Sequence, residues 1–243
     1  MSSATPQIFA VSGPLPSTNP RHTTIPLIEH AVGLTGRERP RITYIATGTG
    51  DHPAHIDSFH RALAHRDDVT TSHLSLFTQP NVPDVREHLL AQDAVWVGGG
   101  SVVNLMAVWR AHGIPELLRE CWEAGVVLAG QSAGSLCWHL GGPTDSFSDA
   151  LDTVTDTLGW LPFSNGVHDN FPEQPRREAY RAAVAEGLVP AGYASEDGVG
   201  LHYVGTELRE VVTVVDGACG WWVEPDGPGA WCEERLEARL LGE

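Results

Sequence analysis

Lysine is absent from all 243 residues; each of the fifteen basic side chains is arginine. Without lysine no Schiff base can form, no pyridoxal phosphate can be anchored and no P-loop lysine can reach a phosphate. Positive charge of any kind is scarce, with 15 arginines against 31 carboxylates and a formal charge of −16. Broad binding to nucleic acid or to an anionic membrane needs a basic face, so neither partner is expected. No apolar run approaches the roughly 20 residues of a membrane span. The opening residues, MSSATPQIFAVSG, lack a basic stretch followed by a long apolar one, so no signal peptide is expected. The four cysteines (Cys121, Cys137, Cys219 and Cys232) form no C-x-x-C pair, which suits a reduced, cytoplasmic chain. No cofactor and no metal are expected.

What is present reads as a folded chain, since 42% hydrophobic and 19% charged residues lie in the globular range. Short β-branched runs alternate with stretches of helical spacing. Strands are expected at Gln7-IFAVS, Ile42-TYIAT, Thr70 to Leu76, Ala94-VWV and Val126-VLA. Helices are expected at 27–34, 56–64, 83–90, 103–110 and 114–124. Beyond an irregular, polar segment from Asp145 to Gly166, a helix is expected from Arg176 to Glu186. From Tyr193 the chain reads as hairpins, with Gly205-Thr206 in a turn. The pattern implies one α/β domain spanning 1–243: a doubly wound, mostly parallel sheet flanked by helices, with antiparallel edge strands.

The sharpest chemical signal is Gly130-Gln131-Ser132-Ala133-Gly134, directly after a strand and before the helical run Ser135-LCWHL. In that context G-x-S-x-G is a nucleophile elbow: the glycines admit the cramped backbone that lifts the Ser132 hydroxyl, and the helix N-terminus aims amides at developing negative charge. Among twelve histidines, His168 lies in a polar, irregular segment of the kind that presents catalytic groups; His139 and His202 sit in helix and strand patterns. Gly98-Gly99-Gly100-Ser101 closes another strand. The amide of Gly99 or Gly100 could supply half of an oxyanion hole, with Ala133 supplying the other half. The same triplet also reads as a plain helix-opening turn, and the two readings are compatible.

The segments VGGGSVVNLM, GVVLAGQSAGSLCW, GGPTDSF, GVHDNFPEQPRREAY and ASEDGVGLHYV together resemble the peptidase E family of serine dipeptidases, over about Ile42 to Val215. The resemblance implies the architecture of class I glutamine amidotransferases, with cyanophycinase as a relative. It implies Ser132 as nucleophile and His168 as general base. It further implies an aspartate in the loop after the elbow helix as third member, which is Asp145; an acid in Ser195-Glu196-Asp197-Gly198, Glu196 or Asp197, is the alternative. Members remove an N-terminal aspartate from Asp-X dipeptides and are not endopeptidases. Two departures stand out. Ser101 replaces the asparagine usual after the glycine triplet, and the histidine segment His168-Asp169-Asn170-Phe171-Pro172-Glu173 departs from the usual H-x-D-x-E.

A small peptide is therefore the expected partner, with a homodimer as a further option. Arg176 and Arg177, just beyond the histidine segment, are the candidates for a substrate carboxylate, because a guanidinium fork matches it. Three rival readings stand beside this one. An α/β-hydrolase esterase would draw on Asp197 and His202 but lacks an H-G-G-G motif. A metal hydrolase would use the Asp51, His52, His55, Asp57 and His60 cluster, whose histidines do not share one helix face. A non-catalytic binding or sensor protein could occupy the same scaffold.

Overall fold

The computed structural model describes residues 5–13 and 24–242. In chain order β1 (Gln7–Val11), α1 (Ile25–Leu34), β2 (Arg41–Ile45), α2 (Pro53–Ala62), β3 (Thr70–Leu74), α3 (Val85–Leu90), β4 (Ala94–Val97), α4 (Val102–Ala111), α5 (Ile114–Glu123) and β5 (Val127–Gln131) alternate strand and helix. The strand side chains alternate between two apolar layers, as a two-residue repeat requires. Ile8, Ala10, Val95, Val97 and Leu128 pack with Leu105, Trp109 and Leu118 of α4 and α5. Phe9, Val11, Trp96, Val127 and Ala129 pack with Leu27, Ala31 and Phe59 of α1 and α2. Strands covered on both faces have no polar side to show, which is why their sequences are continuous apolar runs.

The second half of the chain adds a one-turn helix α6 (Ala133–Leu136), the hairpin β6 (Gly142–Thr144) and β7 (Asp152–Val154), and β8 (Ser164–Val167). Then come α7 (Arg176–Ala185), β9 (Gly192–Ser195), β10 (Val199–Val204), β11 (Glu207–Thr213), β12 (Gly220–Pro225), β13 (Trp231–Leu236) and β14 (Arg239–Leu240). The main sheet runs β14-β11-β10-β1-β5-β4-β2-β3. From β1 to β3 every pair is parallel, while β10 is antiparallel to both β1 and β11. The expected doubly wound α/β sheet with antiparallel strands toward one edge is the fold observed.

Two features depart from the sequence expectation. The helix after Ser132 is shorter than Ser135-LCWHL suggested, because Leu140 donates its amide to the Phe163 carbonyl at 2.8 Å and the chain turns into β6. The segment expected to be irregular holds β7 and most of β8, and β8 begins a separate four-stranded sheet, β8-β9-β12-β13. Helix α7 packs on that sheet through Tyr180, Ala183 and Val184. The second sheet carries the histidine segment to the main sheet: β8 and β9 are parallel with Val167 level with Ser195, so the residues that follow each strand emerge side by side.

Candidate active site

Loops at the C-terminal ends of parallel strands are where open α/β sheets present their chemistry. Three such ends converge here: Ser12 follows β1, Gly98 to Gly100 follow β4, and Ser132 follows β5. Ser132 has φ 54° and ψ −114°, a backbone conformation rare for any residue but glycine. Such a conformation costs about 1–3 kcal/mol and persists only where the surroundings impose it. They do so through hydrogen bonds at both sides of the serine: its amide donates to the Val11 carbonyl at 2.9 Å, and its carbonyl accepts from the Ser135 and Leu136 amides at 2.9 Å. The flanking glycines are required by close approach. A Cβ on Gly130 would stand 2.4 Å from the Gly134 carbonyl oxygen, and one on Gly134 would stand 2.4 Å from that of Val97. The result is a partly exposed hydroxyl on a rigid turn.

Gly99 lies against this serine, since a Cβ added to it would be 3.2 Å from Ser132 Cβ and 3.7 Å from its Oγ. Gly100, at φ 109°, passes so near the Gly48 carbonyl that no side chain would fit. Ser101 then caps α4, its hydroxyl accepting the Asn104 amide at 3.2 Å. The triplet is thus a helix opening and a close approach at once, and Ser101 in the usual asparagine position has a capping task. As the first residue of α6, Ala133 carries an amide with no intrahelical acceptor.

His168 follows β8, is 2% exposed and also has positive φ, 59°. Its Nδ1 meets Asp197 Oδ1 at 2.5 Å. A carboxylate accepts, so Nδ1 is the donor in this contact and Nε2 is the nitrogen turned away from Asp197. The His168 amide donates to the Ser12 hydroxyl at 3.1 Å, and that hydroxyl also meets Ser195 Oγ at 2.7 Å. Asn170 Oδ1 accepts the Asp197 amide at 2.8 Å. Successive residues at the end of β1 therefore hold the serine turn through Val11 and the histidine turn through Ser12. Neither Ser12 nor Asn170 is singled out in the sequence, because each acts through contacts distant along the chain.

Asp145 is not the carboxylate on His168. Its Oδ2 accepts from Arg176 Nη2 at 2.7 Å and from Gln174 Nε2 at 3.4 Å, in the loop after β6. The neighbouring Ser146 hydroxyl accepts the Val102 amide at 3.0 Å, which ties this loop to the helix that follows the glycine triplet. Arg176 and Arg177, expected to await a substrate carboxylate, are both engaged by carboxylates of the chain itself. Arg177 donates to Asp169 at 2.8 Å and to Glu233, and its guanidinium lies 4.5 Å from the Trp221 ring centre. A recess of about 470 Å³ opens beside the histidine loop, lined by Asn170, Phe171, Pro172, Glu173 and Gln174 among others.

His139, His202 and His60 are held in contacts away from His168. His139 is fully buried, donates from Nδ1 to the Ser135 carbonyl at 2.9 Å, and burial pushes its pKa down to about 4. His202 bonds Gln7 Oε1 at 2.9 Å, far along β10 from His168. His60 is shared between Thr71 and His73. Among the described residues no group of three His, Cys, Asp or Glu side chains could hold a metal ion. None of the described helices is long and apolar enough to cross a membrane.

A serine on a strained strand-to-helix turn, a glycine packed against it and a histidine held by a carboxylate are groups of the kind that covalent acyl transfer uses. Residues 8–211 match the model of peptidase family S51, and the chain belongs to that family. It is 36% identical over 212 residues to an uncharacterized peptidase, YgaJ, of Bacillus subtilis, spanning 87% of this chain and 89% of that protein. It is 26% identical over 169 residues to peptidase E of Shewanella denitrificans, covering 66% and 68% of the two chains. In fold it is similar to a putative peptidase E from Listeria monocytogenes, with a TM-score of 0.61, 16% identity and coverage of 87% of this chain and 100% of that one. A peptidase from an acI-B1 actinobacterium gives a TM-score of 0.62 at 16% identity, over 100% and 97%.

Proposed function

We infer that this S51 peptidase is a serine-type dipeptidase whose triad is Ser132, His168 and Asp197. The observation that carries the reading is the pair of positive-φ turns, Ser132 and His168, anchored on Val11, the last residue of β1, and on Ser12 just after it, with the second bonded to a buried carboxylate. In this reading His168 Nε2 removes the Ser132 proton as Oγ attacks the peptide carbonyl. The amides of Ala133 and of Gly99 or Gly100 hold the oxyanion. His168 then passes the proton to the departing amine, and water, activated by the same imidazole, hydrolyses the acyl-enzyme. Asp197 orients the ring and stabilises its protonated form.

The substrate class is a short peptide, with Asp-X dipeptides as the specific proposal. The family membership and the relative named peptidase E support it. For a chain of charge −16, an acidic residue needs a local cation. Arg176 is the candidate: its side chain is 8% exposed, and its partner Asp145, at 43%, is the one a substrate carboxylate would displace. Arg177 is already tied on two sides and is the weaker choice. A dipeptide panel varying the first residue, run on wild type and Ser132→Ala, tests the reading. Hydrolysis confined to Asp-X and absent from Ser132→Ala is expected; a Ser132→Ala enzyme with full turnover overturns it. Arg176→Ala should erase the preference for aspartate while leaving Ser132 reactive toward a fluorophosphonate.

A further inference from the structure

His168 holds a positive φ of 59°, and beside its own hydrogen bonds to Ser12 and Asp197 the next residue is clamped as well. Asp169 is buried, its amide donates to the Ser195 carbonyl at 3.0 Å, and its carboxylate accepts Arg181 Nη1 on one oxygen and Arg177 Nη1, at 2.8 Å, on the other. Arg181 is 1% exposed, an unusual burial for arginine. Its remaining donors, Nε and Nη2, both go to Glu233 Oε2, at 3.0 and 2.7 Å, and Arg177 reaches the other oxygen of Glu233. Two carboxylates and two guanidiniums thus close a ring that spans the histidine loop, α7 and β13. Burial pushes the Asp169 carboxyl up, and the two arginines pull it back. A charge cluster at this depth is an expensive way to stabilise a fold, and an apolar replacement would often serve as well. Its position, one residue from the imidazole, gives it a different use.

We propose that Arg181, fixed by Glu233 and gripping Asp169, is a positioning residue that holds His168 in register with Ser132. The proposal rests on the reading of Ser132 and His168 as nucleophile and base. The Arg181 guanidinium touches neither the serine nor the imidazole; it sets the backbone from which the imidazole projects, through the side chain of the adjacent residue. Misplacing a catalytic group by about 1 Å can cost on the order of 100-fold in rate without weakening substrate binding.

The test compares wild type with Arg181→Met, Arg181→Lys, Glu233→Gln and Ser132→Ala, each confirmed folded by circular dichroism and thermal unfolding. Steady-state hydrolysis of a dipeptide and the rate of Ser132 labelling by a fluorophosphonate are both measured. Arg181→Met and Glu233→Gln are expected to lower kcat and the labelling rate by about 10- to 100-fold with KM within about threefold. Arg181→Lys, which keeps the charge on Asp169 but not the fork to Glu233, should recover part of the loss. Should Arg181→Met fail to fold, Glu233→Gln decides the matter, since its change is isosteric. Unchanged kcat and labelling in a folded Glu233→Gln, or a loss confined to KM, overturns the positioning role while the triad stands. Full activity in Ser132→Ala overturns the triad and the positioning role with it.

Discussion

Asp197 Oδ1 lies 2.5 Å from His168 Nδ1 across 29 residues of chain, and it is the parallel pairing of β8 with β9 that brings them together. Val167 and Ser195 are level in that pairing, so the two strands release His168 and Asp197 on the same side. If Asp197 holds the tautomer, Asp197→Asn should lower kcat by about 10³- to 10⁴-fold, because an amide in place of the carboxylate favours the wrong ring tautomer. Asp145→Asn should keep kcat within about tenfold. Steady-state kinetics of the two variants on one dipeptide separate these expectations. Comparable losses in both would contradict the pairing as the operative one.

Ser132 stores strain, and glycine would release it. Ser132→Gly is expected to raise the urea midpoint, with a gain of about 1 kcal/mol in unfolding free energy, while abolishing hydrolysis. Equilibrium denaturation beside an activity assay reads both effects. A destabilised Ser132→Gly would mean that the serine hydroxyl contributes more to the fold than its backbone costs.

Gly134→Ala should do the reverse. Its new methyl would meet the Val97 carbonyl at 2.4 Å, a backbone atom of a central strand with no room to move. A loss of at least about 2 kcal/mol is expected, with β4 and the elbow forced apart. Soluble yield and thermal midpoint against wild type are the measurements.

His139 ties stability to pH. Its pKa falls from 6.5 in the unfolded chain to about 4 in the folded one, because burial disfavours the imidazolium. Between those values the unfolded chain binds more protons, so stability is full above about pH 6.5, declines as the pH falls, and levels off below about 4. The contribution is on the order of 3 kcal/mol, and the lowered pKa values of His30, His88 and His202 act in the same direction. His139→Asn, which can still donate to the Ser135 carbonyl, should flatten this part of the profile in urea titrations at stepped pH.

The core strands were legible because each is apolar on both faces: Ile8 to Val11, Ala94 to Val97 and Val127 to Ala129 are buried throughout. The tight turn at Ser132 was legible because its glycines and serine are contiguous. The second sheet was not, since β13 reads Trp-Cys-Glu-Glu-Arg-Leu, is largely exposed, and owes its strand form to pairing with β12. The choice between Asp145 and Asp197 was equally out of reach. Both stand in loops beside glycine or proline, and only the register of two short strands distant in sequence decides which carboxylate meets the ring. Arg176 and Arg177 illustrate the same limit, for the carboxylates that occupy them come from Asp145, Asp169 and Glu233, and the last of these lies on β13.

The end of β1, where Val11 holds the Ser132 turn and Ser12 the His168 turn, sets a timetable for assembly. This strand is made before both of its neighbours, β5, aligned Ile8 with Leu128, and β10, aligned Gln7 with Val204. It must wait unpaired on one side until the first arrives and on the other until the second does. A nascent chain halted before β8 holds the Ser132 turn but not yet His168, the base proposed above. On the triad proposed above, hydrolysis must wait until β8 and β9 have been made and paired, because that pairing brings His168 and Asp197 together.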